Sequence, residues 1–300
     1  LRAFDRSKGP QPPPPLSAQS AQPGMMGLLS RHSHEPAGEA FGVVWEGAST
    51  VFARPPTAYG MTGFERILPG PTSALSRLYE VALRLLDTPR FTLFHRRGAM
   101  ALTTTVALLS NPAAILAGEA KDDGLELRWT LGQALSAVLP QNALPLGLPP
   151  SDARALWQVL VGAFGPPGAA PFDRAHALLA DTLWQTLAPR AQRRLKELLA
   201  VAAEPPFELV IERARQSGRR VGMVLTGDFA HAARTVVSEY EGFDPAALSE
   251  PGGLARMCGD LPALADLFRL AVRPEYADAR WHVPAPTSQR FSLTGGVPLV

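Results

Sequence analysis

The sequence predicts an α+β fold dominated by helix, in which a small β-sheet covers one side of a helical bundle. Two patterns predict it. Apolar residues recur at helical spacing through most of the second half of the chain. Three short apolar runs within residues 91–116 have the composition of strands instead. Hydrophobic residues make up 46% of the 300 residues and charged residues 19%, so the chain can bury a substantial core.

Residues 1–40 have the composition of a linker. The run from Pro12 to Pro15 favours extended polyproline, and Ser, Gln and Gly follow it. We therefore predict a disordered Pro-rich linker over 1–40, one helix-rich domain over 41–283 and a C-terminal tail over 284–300. Because residue 1 is Leu, we also expect the sequence to be a piece of a longer chain, with an upstream signal left open.

The first half of the predicted domain contains its sheet. Residues 41–71 mix short apolar pieces with Gly and Pro, which predicts short strands or a covering loop. A helix is predicted over Ser73–Asp87, with Ser73 as its cap and Pro89 after its end. Asn111-Pro112 predicts a turn between the last two strands. The strands are predicted at Phe91–Phe94, Leu102–Leu109 and Ala113–Leu116.

The second half is predicted to be helical. Its helices are separated by some of the 30 prolines, about twice the usual share. Ser151, Asp173 and Asp228 are suitable N-caps, and Pro262 suits a first turn. The helices are predicted at 126–139, Ser151–Phe164, Asp173–Leu187, Arg190–Ala203, Phe207–Leu225, Asp228–Tyr240 and Leu261–Val272, with a short turn at Glu275–Arg280.

Composition restricts the classes of function. The net charge of +2 is too small to require a nucleic-acid or membrane partner. The longest apolar region, residues 101–118, is too polar and broken for a transmembrane span. The single cysteine, Cys258, excludes an internal disulfide framework and a Cys-based zinc ribbon, and it fits a reducing, cytoplasmic location.

The helix over 126–139 has the frame of a metal-binding helix without its ligands. In an HExxH helix, two His at i and i+4 lie on one face and converge on Zn²⁺, and the Glu after the first His is the general base. Here Gln133 and Ala137 occupy the i and i+4 positions, and Ala134 occupies the base position. Amide and methyl side chains neither complete a zinc site nor take a proton. The alternative interpretation of this segment is an ordinary buried amphipathic helix.

Over residues 73–240 the pattern resembles the zincin-type M48 metallopeptidases, the group of HtpX and the CAAX prenyl protease. Glu126-Leu127, Trp129, Leu131-Gly132 and Leu135 match the scaffold letters of their zinc helix. The family's third ligand is a Glu in a later motif, and Arg215 stands at that position. Within residues 215–222, only Arg220 and Gly222 match that later motif of the family. We name Gln133, Ala134, Ala137 and Arg215 the relic positions.

The resemblance implies a zincin-like fold that has lost its chemistry. A cation at a ligand position opposes Zn²⁺ binding by Coulomb repulsion. We therefore expect no catalytic residues, no metal and no cofactor, and a pseudoenzyme that binds a protein partner or acts as a scaffold. The sequence is also similar to the C-terminal regions of large helical-repeat proteins of bacteria such as myxobacteria, which agrees with a piece of a longer bacterial chain.

Two other interpretations remain open. Asp228 and His231 are i, i+3 neighbours at a helix start and can form the site of an unrecognised hydrolase, although Asp228 is also a suitable N-cap. Two basic clusters can form an anion-binding or nucleic-acid-binding face, although no interleaved aromatic residues support stacking on bases. The clusters are Arg190, Arg193, Arg194 and Lys196 on one helix, and Arg213, Arg215, Arg219 and Arg220 on the next.

Overall fold

The fold is given by a computed structural model that describes residues 29, 35–86, 91–98, 101–120, 124–166, 174–201 and 206–281. These residues form a predominantly helical α+β fold with one small mixed sheet, as the sequence predicts. Most of the predicted linker and the predicted tail lie outside the described residues.

The sheet contains the three strands predicted within residues 91–116 and a fourth within residues 41–71, where the sequence predicts short strands or a covering loop. Its strands are β1 (Glu65–Ile67), β2 (Thr92–Arg96), β3 (Thr103–Ala107) and β4 (Ala113–Ala117), in the order β1-β2-β4-β3. β1 and β2 are antiparallel, β2 and β4 are parallel, and β3 and β4 form an antiparallel hairpin. The predicted turn at Asn111-Pro112 lies in that hairpin, and β3 ends the sheet.

The helices occupy most of the remaining chain. α1 (Pro36–Phe52) and α2 (Ala74–Leu86) lie in the first part of the chain. The sheet is followed by α3 (Leu125–Ala137), α4 (Pro140–Gly147), α5 (Pro150–Phe164), α6 (Arg174–Thr186), α7 (Pro189–Val201), α8 (Phe207–Thr226), α9 (Phe229–Ser238), α10 (Gly253–Asp260), α11 (Pro262–Ala271) and α12 (Pro274–Trp281). The bounds of α2, α3 and α5–α8 agree with prediction to within two residues, because their apolar periodicity is strong and Pro or Gly stands near their ends.

α3 lies at the centre of the molecule. The sequence predicts one buried face for this helix, but ten of its thirteen residues are buried. It packs against α8, and it also contacts β3, β4, α2 and α4. Because α3 contacts both the sheet and the other helices, it joins the two parts of the fold.

Both faces of the sheet are covered. On the inner face, Leu93, Val106 and Leu116 belong to the main core that they share with the helices. On the outer face, Ala113 and Ile115 form a second, smaller cluster, which is covered by Tyr59, Met61 and Phe64 of the segment before β1. All five residues of β4 are therefore buried.

The prediction for residues 41–71 is wrong in its first part. Residues 36–52 form helix α1, which packs against α4 and α7. Its β-branched and aromatic residues favour a strand locally, but its buried positions recur at helical spacing. They are Ala37, Ala40, Phe41, Val44, Trp45 and Ala48. Because α1 begins at Pro36, the boundary predicted at residue 40 falls inside a helix.

The predicted caps have different outcomes. Ser73 Oγ accepts the Ser76 N–H at 3.0 Å, and Asp228 Oδ1 accepts the His231 N–H at 2.9 Å, so both predicted caps are formed. Ser151 is not a cap, because α5 begins at Pro150 and the Ser151 hydroxyl bonds to Asp152 instead. Asp173 lies outside the described residues.

Candidate binding pocket

The candidate site rests on the contact between α3 and α8. The two helices run antiparallel, since Trp129 lies against Gly222 whereas Gln133, one turn later, lies against Gly218. A Cβ atom on Gly132 would lie 2.5 Å from the Gly222 Cα atom. Glycine at these positions therefore lets the two backbones approach more closely than side chains would allow.

A pocket of about 460 Å³ opens between this helix pair and strand β3. Its volume lies within the range of small-molecule pockets. Its wall combines an apolar surface with a few amide, hydroxyl and charged groups. The lining residues are Thr104, Thr105 and Val106 of β3, Gln133 and Ala137 of α3, Leu146 of α4, Ala214, Arg215, Gly218 and Arg219 of α8, and Glu239 after α9.

Three of the four relic positions line this one pocket. Gln133 and Ala137 reach it from successive turns of α3, and Arg215 reaches it from α8. Ala134 does not line it and is fully buried in the core. No cluster of three His, Cys, Asp or Glu residues that could hold a metal ion occurs in the part of the chain that the structure describes. The pocket therefore brings the predicted positions together without a ligand set.

Arg219 forms a charge network at the pocket wall. Its side chain is 5% exposed and lies 2.5 Å from Glu212 Oε1 and 2.7 Å from Glu239 Oε2. Its guanidinium also lies over the ring of Tyr240. Burial lowers the pKa of Arg219, but the charges of Glu239 and Glu212 outweigh burial and raise that pKa above its ordinary value. Arg219 therefore keeps its charge, which the two carboxylates balance, and its side chain is fixed in place.

Strand β3 contributes backbone groups and a hydroxyl group. The side-chain hydroxyl oxygen of Thr104 is buried and has no hydrogen-bond partner among the described residues. Because β3 ends the sheet, the backbone groups on its outer edge have no strand partner within the described part of the chain. The strand thus offers hydrogen-bonding groups beside the pocket.

The Asp228 and His231 pair does not line this pocket. The Asp228 carboxylate caps α9 by accepting the His231 N–H. The His231 ring stands edge-on to Trp129 at 6.4 Å, and its Nε2 atom is buried without a partner among the described residues. Burial lowers the pKa of His231 below its ordinary value, with the charge of Asp228 opposing. The histidine is therefore kept neutral near pH 7.

The basic cluster on α8 is largely paired. Arg213 lies 2.5 Å from Glu35, Arg219 has the two carboxylates described above, and Arg220 forms a buried bidentate pair with Asp266. Only Arg215 of this cluster makes no ion pair within the described residues. This pairing removes most of the free positive charge that an anion-binding face on α8 would need.

The basic cluster on α7 is more exposed. Arg194 bonds to Glu39 and Glu197. Lys196 lies 4.8 Å from the ring centroid of Trp184. Arg190 is exposed, like the rest of this cluster.

Comparison with known proteins does not assign the chain to a family. No family model, no curated protein and no solved structure matches it. Within the described residues, no helix is both long enough and apolar enough to cross a membrane.

Sequence reasoning missed much of the pocket wall. Thr104 and Val106 are two positions apart on β3, a spacing that places both side chains on the same face of the sheet. That pattern alone does not indicate which helix faces them. Glu239 follows α9 in a polar segment, and its ion pair with Arg219 depends on how α8 and α9 pack.

Proposed function

We propose that this chain is a non-catalytic, peptidase-like domain that binds a segment of a partner protein in the pocket between β3 and the α3–α8 pair. One observation supports it above the others. Gln133, Ala137 and Arg215, the positions at which the resemblance calls for zinc ligands, line one pocket. An amide, a methyl group and a guanidinium cannot bind Zn²⁺ there.

The edge strand supports a polypeptide as the ligand. An extended segment that lies along β3 can form backbone hydrogen bonds with its outer edge, while side chains enter the pocket. The pocket contains the apolar side chains of Val106 and Leu146 beside polar groups. Such a combination is typical of recognition sites, in which apolar contact stabilises binding and a few polar groups give specificity.

The first experiment tests the catalytic half of the proposal by measuring zinc content and casein cleavage of the purified chain. We expect no stoichiometric zinc and no cleavage that a chelator abolishes. Tightly bound zinc at one ion per chain, or chelator-sensitive peptidase activity, would contradict the proposal.

A second experiment tests the peptidase-like architecture by restoring the ligands. The triple variant Gln133→His, Ala137→His, Arg215→Glu supplies two His at i and i+4 and a carboxylate from α8. We expect one Zn²⁺ per chain and a zinc-dependent rise in Tm, since a ligand that binds only the folded state stabilises it. The control is Gln133→His alone, which supplies one ligand and should bind zinc weakly. A folded triple variant without zinc affinity would overturn the peptidase-like assignment.

A further inference from the structure

Arg215 is the charged residue of the pocket that lacks a counter-ion. Its side chain is exposed, and it makes no ion pair within the part of the chain that the structure describes. The neighbouring arginines on α8 are each held by carboxylates: Arg213 by Glu35, Arg219 by Glu212 and Glu239, and Arg220 by Asp266. α8 therefore presents one cation to the pocket that the fold itself does not neutralise.

Arg215 carries the positive charge of the pocket wall that is open to a ligand. The lining residues Arg215, Arg219 and Glu239 carry two positive charges and one negative charge, and Glu212 adds a second negative charge beside Arg219. Glu239 is occupied by Arg219, with contacts of 2.7 and 2.9 Å. Glu212 is held by Arg219 and accepts the Tyr240 hydroxyl at 3.2 Å, and it is not part of the lining. A ligand carboxylate can therefore pair with Arg215, which no carboxylate of the described residues holds.

Two neutral donors accompany Arg215. Gln133 lies against Gly218, one helical turn from Arg215, and its amide nitrogen can donate two hydrogen bonds. The Thr104 hydroxyl on the facing strand has no hydrogen-bond partner in the described residues, and it can donate one. A guanidinium with amide and hydroxyl donors suits a carboxylate, because a carboxylate only accepts hydrogen bonds.

We infer that the partner segment presents an Asp or Glu side chain to this pocket, where its carboxylate pairs with Arg215 and accepts hydrogen bonds from Gln133 and Thr104. This inference rests on the proposed function and adds the chemical class of the ligand. The adjoining edge of β3 supplies backbone partners for the segment on either side of the acidic residue. A free small carboxylate would leave those backbone groups unused.

The test uses a phage-displayed library of random 12-residue peptides, selected against the unaltered chain. Enriched peptides are synthesised, and their affinities are measured by fluorescence polarisation. We expect an Asp or Glu common to the enriched peptides, and a loss of affinity of about tenfold or more when that residue becomes Asn or Gln. Arg215→Glu should cause a similar loss, and a Lys in place of the acidic residue should restore binding to Arg215→Glu.

Two variants make the result specific to the pocket. Arg190→Glu makes the same charge change at an exposed position of α7 outside the pocket, and it should leave affinity unchanged. Ala137→Phe fills the pocket and should abolish binding. Circular dichroism checks that this variant folds; Thr104→Phe on the facing strand replaces it if it does not.

Each of the other outcomes overturns a defined part of the proposal. Peptides that Ala137→Phe excludes, but that need no acidic residue and bind Arg215→Glu normally, would overturn the inference and leave the proposed function standing. N-acetylglutamate amide binding as tightly as the peptides would overturn the assignment to a polypeptide segment. If no peptide is enriched, or if all enriched peptides bind Ala137→Phe normally, the proposed function is overturned as well.

Discussion

At the residue scale, glycines set the distance between α3 and α8, and so the shape of the pocket. Gly132 and Gly222 face each other, and Gly222 also lies under the ring of Trp129. Gly259, by contrast, has open space where a Cβ atom would lie. Gly132 and Gly222 match positions of the motifs that carry the resemblance, but the sequence alone does not show that they face each other. Their role depends on which helix packs opposite them, since a helical glycine is usually unfavourable compared with alanine.

Gly132→Ala should therefore destabilise the fold. Its Cβ atom would lie 2.5 Å from the backbone of Gly222, so the two helices must move apart. We expect the free energy of unfolding in urea to fall by roughly 1–3 kcal/mol, as for other overpacked cores. Gly259→Ala is the control and should be neutral or stabilising by up to about 1 kcal/mol. Equal effects of the two substitutions would contradict the close helix contact.

His231 should make stability depend on pH. Because burial lowers its pKa in the folded state, the unfolded chain binds a proton that the folded chain resists as pH falls below about 6.5. The stability due to neutral His231 is present above that pH and is lost as pH falls towards the folded-state pKa. We expect His231→Gln to lose less free energy of unfolding between pH 7 and pH 5 than the unaltered chain does. Parallel profiles would contradict a depressed pKa.

At the scale of the element, some helices are determined by local sequence and others by packing against distant parts of the chain. α2 and α9 begin where their capping residues predict, because the cap acts on N–H groups within the same turn. α1 was missed because its composition favours a strand, although its apolar period is helical. Packing of that apolar stripe against α4 and α7 outweighs the local preference of its β-branched residues.

The cap of α9 provides a test of what Asp228 does. Asp228→Ala removes the acceptor for the His231 N–H and should lower the free energy of unfolding by about 1 kcal/mol. Asp228→Asn retains a capping oxygen and should be nearly neutral. Chemical denaturation of both variants measures the difference. A large loss of stability in Asp228→Asn would show that the charge has a role beyond capping.

A buried ion pair joins α8 to α11. Arg220 Nε and Nη2 each lie 2.6 Å from a carboxylate oxygen of Asp266, and both residues are buried. Asp266→Ala leaves a buried cation uncompensated and should cost about 3–5 kcal/mol of unfolding free energy. The double variant Arg220→Met, Asp266→Leu removes both charges and should recover most of that loss. If the double variant is as unstable as the single one, the charge is not the cause.

At the scale of the whole molecule, one hydrophobic core connects the helices with the inner face of the sheet. Buried residues of helices α1 to α12 belong to a single cluster, which includes Trp45, Trp129 and Trp157. The second cluster is confined to the outer face of the sheet. Elements that share a core are stabilised together, because each one buries its apolar face only when the others are in place.

Unfolding should therefore be a single cooperative transition. Tryptophan fluorescence reports on α1, α3, α5, α6 and α12, which contain the five tryptophans, whereas far-UV circular dichroism reports on all the helices. We expect the two signals to give the same urea midpoint and the same slope. Two separate transitions, or midpoints that differ between the two probes, would show that the helices form more than one folding unit.

The sequence by itself determined the fold class, most of the helices, the three longer strands and two helix caps. These features depend on apolar periodicity, on Pro and Gly at element ends, and on capping within one turn, all of which are local. Only the tertiary structure decided that Gln133, Ala137 and Arg215 share a pocket and that α3 is buried on nearly every side. It also decided that Arg215 is the one arginine of α8 without an ion pair among the described residues. These features depend on contacts between residues tens of positions apart, which a local pattern does not encode.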